Sequence, residues 1–358
     1  MIDILILTAS FGMGHKSVSN ALKEQLETGS NNTKTVIADI FEIVGPNVKN
    51  FGSKLYYQLT ENYPLVYNTI YDIKKTNKNN IIDEVFCNLY YKKIYSYILV
   101  EKPKVIISTF PLCSCIVSKI KEEYNANINL ITVITDVVDS WEWIYNKTNI
   151  YLVPSMGIKN KLINKGVCEN TIIVTGIPVK KEFLHSNINF ALSQKKSILL
   201  VLSGVDYLPE EVLAKLNNNN YFKAIIVTGR NEKLYKELSK TMYSNIKIYG
   251  FVNNLDKLMD EAAFIITKPG GVTLFEAINK ELPLIILNSN IGQEKGNIEF
   301  IKQNKIGMVI DDVNNLSSIL DYCIGNPKLI QYYCNNIRKI KKTLHYKEVI
   351  DYVLNEVI

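Results

Sequence analysis

The chain has 358 residues, of which 47% are hydrophobic and 21% charged, and its formal net charge at pH 7 is +6. This length predicts two domains, and the hydrophobic fraction is large enough to form two cores. The mild positive charge favours an acidic partner or an anionic surface. It gives no reason to expect nucleic acid, which usually requires a basic stripe on a matching fold.

Several classes of protein are excluded because their sequence patterns are missing. No run approaches the roughly 18 apolar residues of a membrane span, and Asp3 interrupts the first apolar run, so we expect neither a spanning helix nor a signal peptide. There are only three histidines and no H-E-x-x-H motif, so we expect no metal site. These features predict a cytoplasmic protein, or one on the cytoplasmic face of a membrane.

The first half of the chain alternates short apolar runs with segments of helical length. The runs are nearly continuous and rich in β-branched residues, which is typical of parallel strands covered on both faces. They occupy residues 4–8, 34–39, 104–109, 129–135, 150–154 and 171–176. Segment 17–27 has its apolar residues on one helical face. The alternation predicts an α/β domain with a parallel sheet.

Residues 51–103 break this alternation and are rich in tyrosine and lysine. Their pattern predicts amphipathic helices. Composition favours a helical cap packed on the first domain. The alternative is an interfacial surface, because tyrosine and lysine both extend well to the level of lipid headgroups. The lysines expected to contact an anionic membrane in that case are Lys74, Lys75, Lys92 and Lys93.

The second half repeats the strand pattern. The runs occupy residues 197–204, 222–229, 245–251, 262–267, 282–287 and 307–310. The polar segment 185–196 predicts a linker, so we assign a first domain to 1–190 and a second to 191–340. Segment 341–358 predicts a terminal amphipathic helix. Two doubly wound domains in series predict a ligand cleft facing the carboxyl ends of both sheets.

The turn "SFGMGHKS" (10–17) joins a predicted strand to a predicted helix. It is neither a P-loop nor a G-x-G-x-x-G motif. Its glycines permit close approach of a ligand, and the helix offers free N–H groups. His15 is either an ordinary turn histidine or a group that accepts a proton from a hydroxyl.

The stretch "TKPGGVTLFEA" (267–277) also joins a strand to a helix. Thr273 and Glu276 fit a capping box, which is the structural interpretation of this pattern. The other interpretation is that the helix N-terminus holds a diphosphate. The following polar stretch "GQEKGN" (292–297) is either a solvated loop or, through Gln293 and Glu294, a set of partners for sugar hydroxyls.

Four stretches together resemble the glycosyltransferase family that contains monogalactosyldiacylglycerol synthases and bacterial processive diacylglycerol glucosyltransferases. They are "SFGMGH" (10–15), "TDVVDSWEW" (135–143), "VTGIPVKKEF" (174–183) and the region 251–297 from "FVNNLDKLMDEAAFIITKPGGVTLFEA" to "GQEKGN". A fifth, "YYQLTENYPLVYNTIY" (56–71), resembles the acceptor-side helix of the family.

The resemblance implies a GT-B fold, in which two Rossmann-like domains face a cleft and helix 341–358 crosses back to the first domain. It implies inverting transfer of glucose or galactose from a UDP-sugar to diacylglycerol or a glycosyl-diacylglycerol, at the inner face of the cell membrane, without a cofactor or a metal. The alternatives are an N-acetylglucosamine transferase acting on a lipid-linked intermediate and a non-catalytic UDP-sugar sensor. The missing G-x-G-x-x-G argues against an NAD(P) enzyme.

The resemblance also implies roles for individual residues. The base is His15 or Asp136, and Asp136 is otherwise a turn aspartate. The groups implied to bind UDP are Gly14, Lys180, Ser203, Gly204, Phe251, Val252, Gly270, Gly271, Val272, Thr273 and Glu276. Among them Gly270, Gly271, Val272 and Thr273 face the diphosphate, Glu276 the ribose, and Phe251 and Val252 the uracil. Gln293 and Glu294 meet the donor sugar. Relatives often have arginine at Lys180, and a longer glycine-rich loop at Ser203 and Gly204.

Overall fold

The computed structural model describes residues 2–9, 13–29, 33–48, 50, 54, 58, 62–78, 81–185, 197–288, 292 and 294–355. The chain forms two compact units. Unit 1 comprises the described residues within 1–181, 291–293 and 343–358, and unit 2 those within 182–290 and 294–342. Of the predicted linker 185–196, all but His185 lies outside the described residues.

Unit 1 is built on a six-stranded parallel sheet in the order β2-β1-β3-β4-β5-β6. The strands are β1 (Ile4–Thr8), β2 (Thr35–Asp39), β3 (Val105–Ser108), β4 (Asn129–Val133), β5 (Ile150–Val153) and β6 (Ile172–Val174). In register, Leu7 of β1 lies between Ala38 and Ser108. The strand order reverses between β1 and β3, and such a reversal opens a crevice at the carboxyl ends of the strands.

Helices cover the sheet of unit 1. They are α1 (Met13–Gly29), α2 (Ile40–Val44), α3 (Pro64–Thr76), α4 (Ile81–Glu101), α5 (Pro111–Glu123) and α6 (Met156–Asn164). Phe41 of α2, Ile94 of α4 and Ile116 of α5 share one buried core with strand residues such as Leu5 and Ile106. The tyrosine-rich segment is therefore helical over α3 and α4, as its pattern predicts.

Unit 2 contains a second six-stranded parallel sheet, in the order β12-β11-β10-β7-β8-β9. Its strands are β7 (Ser197–Val201), β8 (Lys223–Val227), β9 (Ile246–Tyr249), β10 (Ala262–Thr267), β11 (Leu284–Leu287) and β12 (Gly307–Ile310). The order reverses between β7 and β10, where Thr267 pairs with Val201. The loops that follow these two strands therefore lie side by side.

The helices of unit 2 pack around this sheet. Helix α7 lies where the chain passes from unit 1 to unit 2. They are α7 (Lys181–Leu184), α8 (Glu210–Asn217), α9 (Glu232–Leu238), α10 (Leu255–Glu261), α11 (Gly271–Asn279), α12 (Glu294–Asn304), α13 (Leu316–Gly325) and α14 (Pro327–Lys341). Leu216 of α8, Leu234 of α9 and Leu320 of α13 join strand residues Leu200 and Ile266 in one core.

The last helix, α15 (Tyr346–Asn355), belongs to unit 1. Its side chains Leu354 and Ile350 come within 3.0 and 3.2 Å of the position that a Cβ would take at Gly29, the last residue of α1. The His345 amide donates to the carbonyl oxygen of Val174 at 3.1 Å. The terminal segment is therefore docked on α1 and on the end of β6.

Two further observations concern the described residues as a whole. None of their helices is long and apolar enough to cross a bilayer. They also contain no group of three or more His, Cys, Asp or Glu side chains arranged to hold a metal ion.

Candidate active site

His15 lies in the first turn of α1, at the strand-order reversal of unit 1. Its Nδ1 is 2.8 Å from the carbonyl oxygen of Thr109 and 3.0 Å from Oγ1 of Thr135. A carbonyl oxygen only accepts hydrogen bonds, so this network assigns the proton of a neutral imidazole to Nδ1. Nε2 then carries the lone pair and is the atom able to accept a proton.

Buried hydroxyl groups fix the start of α1. Ser19 Oγ donates to the carbonyl oxygen of His15 at 2.9 Å and lies 2.9 Å from Thr109 Oγ1. Thr109 Oγ1 donates in turn to Thr8 Oγ1 at 2.9 Å. Strands β1, β3 and β4 are adjacent in the sheet, in that order. The carboxyl ends of these strands therefore bring three threonines together at one edge, namely Thr8, Thr109 and Thr135.

Aromatic rings cover the imidazole of His15. Phe110 meets it edge-on with ring centroids 5.0 Å apart, and the centroid of a Trp143 ring lies 6.4 Å away. Burial lowers the pKa of His15 to about 4, and the hydrogen bond to the Thr109 carbonyl offsets only part of this effect. The imidazole is therefore neutral at pH 7, which is the form that a general base requires.

Asp136, the other predicted base, follows Thr135 directly and is half-buried. Burial, and then the negative charges of Glu142 and Asp136, raise the pKa of Tyr71 in α3 well above its usual range. Asp136 therefore lies near α3, whereas His15 lies over the sheet edge. The choice between the two residues as base stays a prediction.

The position of Lys74 does not fit the membrane contact predicted for it. Its ammonium lies 3.0 Å from Asp83 Oδ1 and 3.7 Å from Glu142 Oε2, and the three side chains are only 22%, 7% and 13% exposed. Ser140 Oγ also donates to the Lys74 carbonyl oxygen at 3.3 Å. Lys74 therefore joins α3 to α4 and to the 3-10 helix Trp141–Trp143, and its charge is neutralised within the protein.

In unit 2, α11 begins at Gly271 with Gly270 as its N-cap, and no side chain caps it. The capping-box interpretation is wrong, because Thr273 lies three residues inside the helix instead of at the cap. The first intrahelical bond is from the Leu274 amide to the Gly270 carbonyl oxygen. An α-helix leaves the amides before that bond without intrahelical partners, so the first turn presents N–H groups to an anion.

The turn before α11 is held in place from both sides. The Gly270 amide donates to the Lys268 carbonyl oxygen at 2.9 Å. Asn297 of α12 is fully buried and donates from Nδ2 to the Pro269 carbonyl oxygen at 2.8 Å. The last residue of the "GQEKGN" stretch therefore fixes the Lys-Pro-Gly-Gly turn.

Ser203 and Gly204 follow β7, next to this turn. Gly204 has φ +74°, and a Cβ there would lie 3.2 Å from Lys268 Nζ. Gly229, with φ +61°, leaves room for Ser203, whose side chain is 3.4 Å from where a Cβ would lie. Positive φ and these close approaches both favour glycine. The loops after β7 and β10 and the start of α11 therefore surround one crevice in unit 2.

The other residues predicted to bind the donor lie near these loops in the sequence. They differ in their exposure to solvent. Glu276 lies in the second turn of α11 and is partly exposed. Phe251 follows β9 and is 64% exposed, with the Arg230 guanidinium 6.0 Å from its ring centroid. Val252 is half-buried. Glu294 opens α12, and Gln293 lies outside the described residues.

Two family models match the chain, one in each half. Residues 15–179 match the monogalactosyldiacylglycerol (MGDG) synthase family, and residues 200–324 match the glycosyltransferase family 28 C-terminal domain. The chain is a glycosyltransferase that resembles the MGDG synthases. The family predicted from the four sequence stretches is thereby confirmed.

Two bacterial proteins are similar to nearly the whole chain. A processive diacylglycerol beta-glucosyltransferase of Staphylococcus epidermidis is 29% identical, over 94% of this chain and 88% of the relative. The enzyme of the same name from Bacillus cereus is 27% identical, over 99% of this chain and 93% of the relative. Both alignments run through the two units of this glycosyltransferase.

Solved structures of glycosyltransferases share the fold. The spinosyn rhamnosyltransferase SpnG in complex with thymidine diphosphate has a TM-score of 0.64 at 11% identity, covering 98% of this chain and all of that one. MurG of Acinetobacter baumannii has a TM-score of 0.64 at 12% identity, covering 99% and 100%. With two Rossmann-like parallel sheets, these likenesses confirm the predicted GT-B fold.

In this glycosyltransferase the predicted site residues divide between the units. Gly14, His15, Asp136 and Lys180 belong to unit 1, and the predicted UDP-binding residues from Ser203 to Glu276 belong to unit 2. Gly14 is exposed in the first turn of α1, with no atom within 4 Å of a Cβ built there. Lys180 is exposed after β6, and the preceding carbonyl, of Val179, accepts from Gln25 Nε2.

Sequence reasoning missed the residues that hold the predicted ones in place. Thr109 and Thr135 orient His15, Asn297 fixes the Lys-Pro-Gly-Gly turn, and the Lys268 side chain lies next to Gly204. Thr135, Asn297 and Lys268 all stand inside stretches that carry the family resemblance, so their position was a usable signal. Thr109 ends an ordinary apolar run, and its position gave no such signal.

Proposed function

We propose that this glycosyltransferase moves a hexose, glucose above galactose, from a UDP-sugar to diacylglycerol or a glycosyl-diacylglycerol, with inversion at the anomeric carbon. The observation that carries the proposal is the uncapped N-terminus of α11 at the strand-order reversal of unit 2. The relatives support glucose and the lipid acceptor, because they are named diacylglycerol beta-glucosyltransferases over nearly the whole chain. A β-product from the α-linked donor UDP-glucose requires inversion.

Unit 2 is the proposed donor-binding unit. The amides of residues 271–273 and the dipole of α11 receive the diphosphate beside Gly270, since the helix N-terminus carries about half a positive charge. Glu276, one turn further along, accepts hydrogen bonds from the ribose hydroxyls. Phe251 and Val252 border the uracil, and Gln293 and Glu294 bind the sugar.

Unit 1 is the proposed acceptor unit. The acceptor hydroxyl oxygen attacks the anomeric carbon, while the bond from that carbon to the β-phosphate oxygen breaks and leaves its electron pair on UDP. The hydroxyl proton passes to a base. We favour His15, because its Nε2 lone pair is fixed by the bonds at Nδ1, and we keep Asp136 as the second candidate.

A screen of donors against acceptors tests this function. UDP-glucose, UDP-galactose and UDP-N-acetylglucosamine are each incubated with the protein and with either diacylglycerol micelles or a bacterial lipid extract, and the lipids are analysed by mass spectrometry and proton NMR. We expect a β-glucosyl-diacylglycerol and stoichiometric release of UDP. Transfer of N-acetylglucosamine alone would instead favour the lipid-linked acceptor. UDP-sugar binding without any transfer would support the sensor and contradict the enzyme.

Unit 1 also carries the proposed membrane surface, on α3 and α4. Lys75, Lys92 and Lys93 are exposed, although Lys93 also donates to the Val44 carbonyl oxygen. Large apolar side chains are also exposed on the same helices, namely Leu65, Val66, Ile73, Val85, Leu89, Leu99 and Val100, and Tyr63, the N-cap of α3, is exposed as well. Apolar and basic side chains together favour an anionic bilayer surface, such as the inner face of the cell membrane. Lys74 is excluded from this surface by its ion pairs.

We expect the triple substitution Lys75→Gln, Lys92→Gln and Lys93→Gln to weaken binding to anionic vesicles about 100-fold, because each lysine near such a surface contributes about 1 kcal/mol. Flotation with vesicles of phosphatidylglycerol and phosphatidylcholine, at low and high salt, measures the effect. The matched control replaces Lys233, Lys240 and Lys247, which are exposed lysines of unit 2. Equal losses in the two variants would show that net charge, not this surface, binds the membrane.

A further inference from the structure

We propose that Lys268 is a catalytic residue whose ammonium group binds the diphosphate of the donor and neutralises the charge that develops on departing UDP. This inference rests on the proposed function and adds to it a cation that neither the family resemblance nor the relatives' names assign. The sequence alone pointed to Lys180 for this task. Lys268 differs from Lys180 in belonging to the same unit as α11.

The side chain of Lys268 extends across the strand-order reversal of unit 2. Its backbone follows β10, yet its Nζ reaches Gly204, which follows β7: a Cβ on Gly204 would be 3.2 Å from Nζ and 3.7 Å from Cδ. In open α/β sheets this reversal is where ligands bind. Gly204 therefore leaves space for the lysine, and the ammonium group lies at the centre of the expected site.

The other partly covered lysines of unit 2 have carboxylate partners. Lys215 pairs with Asp321, Lys280 with Asp260, and Lys341 with Glu281. Lys268 is also partly covered, but among the described residues it forms no hydrogen bond or ion pair with its side chain. A covered cation is costly without a partner of opposite charge. An anionic ligand at the reversal supplies that partner.

The backbone on both sides of Lys268 is fixed. The Lys268 carbonyl oxygen accepts from the Gly270 amide, and Asn297 holds the next carbonyl, of Pro269. The turn that carries the lysine is therefore the turn that starts α11. A diphosphate on the α11 amides would therefore contact the turn that carries the lysine, and charges preorganised in this way stabilise transition states most effectively.

In the reaction, the bond between the anomeric carbon and the β-phosphate oxygen breaks, and both electrons stay on that oxygen. UDP leaves with one more negative charge than the diphosphate had in the donor. Lys268 donates hydrogen bonds to these oxygens and keeps its protons, while the proton of the acceptor hydroxyl goes to the base in unit 1. The lysine therefore interacts more strongly with the transition state than with the bound donor.

The variant Lys268→Gln tests this role. We expect kcat to fall about 10²–10³-fold, with a smaller rise in KM, which is the usual result of removing one charge-stabilising donor. By calorimetry we expect affinity for UDP to fall at least about tenfold, while affinity for uridine, which has no phosphate, stays unchanged. Lys268→Arg should recover much of the UDP affinity. Lys247→Gln, an exposed lysine on β9, serves as the control.

A second measurement needs no substitution. The wild-type protein is methylated reductively with and without saturating UDP, and modification of each lysine is read by mass spectrometry. UDP, but not uridine, should protect Lys268 and leave Lys247 reactive. Equal modification of Lys268 with and without UDP would overturn the inference, as would wild-type UDP affinity and kcat in Lys268→Gln. A wild-type protein that neither binds UDP nor transfers sugar would overturn the proposed function itself.

Discussion

Replacing His15 with alanine should lower kcat by about 10²–10⁴-fold, which is the usual contribution of a general base. The reason is the fixed tautomer: Nδ1 is engaged by Thr109 and Thr135, and Nε2 alone is able to take the proton of the acceptor hydroxyl. Turnover with UDP-glucose and diacylglycerol measures the effect. Calorimetry with UDP should show unchanged affinity, because the proposed nucleotide site lies in unit 2.

Asp136→Asn is the matched variant. It should retain turnover within about tenfold of wild type if His15 is the base, and the opposite pattern would identify Asp136 instead. The pH dependence tests the burial of His15. With the pKa of His15 lowered to about 4, kcat/KM should stay level from pH 8 to 5 and fall only as the pH approaches 4. A fall centred near pH 6.5 would show that the imidazole titrates with its ordinary pKa.

The lowered pKa of His15 also makes the stability of the protein depend on pH. Below pH 6.5 the unfolded chain binds a proton at His15, but the folded protein does not until the pH is near 4. The contribution of this group to the free energy of unfolding is therefore complete above about pH 6.5 and is lost as the pH falls towards 4. His15→Gln should show a weaker loss of stability over this range, as measured by urea unfolding.

Replacing Lys74 with methionine should destabilise unit 1 by about 3–5 kcal/mol, the usual result of removing one partner from a covered ion-pair cluster. Asp83 and Glu142 would keep their charges with no cation beside them, and both are largely buried. Burial already raises the pKa of Glu142, although Lys74 lowers it. Denaturant unfolding at pH 7, followed by circular dichroism, measures the change.

Two variants decide whether charge is the cause. Lys74→Arg should lose much less stability than Lys74→Met, because it keeps the positive charge. Adding Glu142→Gln to Lys74→Met should restore part of the loss, because it removes one of the two unpaired carboxylates. If the double variant is as unstable as the sum of the two single changes predicts, the ion pairs do not determine the stability of this region. Binding to anionic vesicles should be unchanged in Lys74→Arg, since Lys74 is not part of the membrane surface.

The strands could be predicted closely from the sequence. The run 262–267 was predicted and observed at the same residues, and the run 104–109 became β3 at Val105–Ser108. Such runs are legible because a parallel strand covered on both faces needs a short continuous series of apolar, β-branched residues. The stretch 267–277 was equally legible as a turn between a strand and a helix, because proline and glycine end a strand.

The first residue of α11 could not be predicted from the sequence alone. "GGVTLFEA" satisfies a capping box that begins at Thr273, and it also satisfies a helix that begins at Gly271. Local helix-capping preferences do not distinguish between these two starting points. In the folded protein Asn297 holds Pro269, and the helix begins directly after that turn. A contact across 28 residues of sequence thus left Thr273 inside the helix and the first-turn amides open.

The sequence by itself determined the two α/β units, the family and the turns that join strands to helices, because these depend on patterns carried by neighbouring residues. Only the tertiary structure decided what individual charges and rings contact. Lys74 and Lys75 are adjacent and chemically alike, but one meets Asp83 and Glu142 and the other is exposed. His15 finds Thr109 and Thr135 about a hundred residues away. Lys268 crosses to Gly204 because the strand order reverses between β7 and β10. Such partners are set by sheet order and helix docking, which no local pattern specifies.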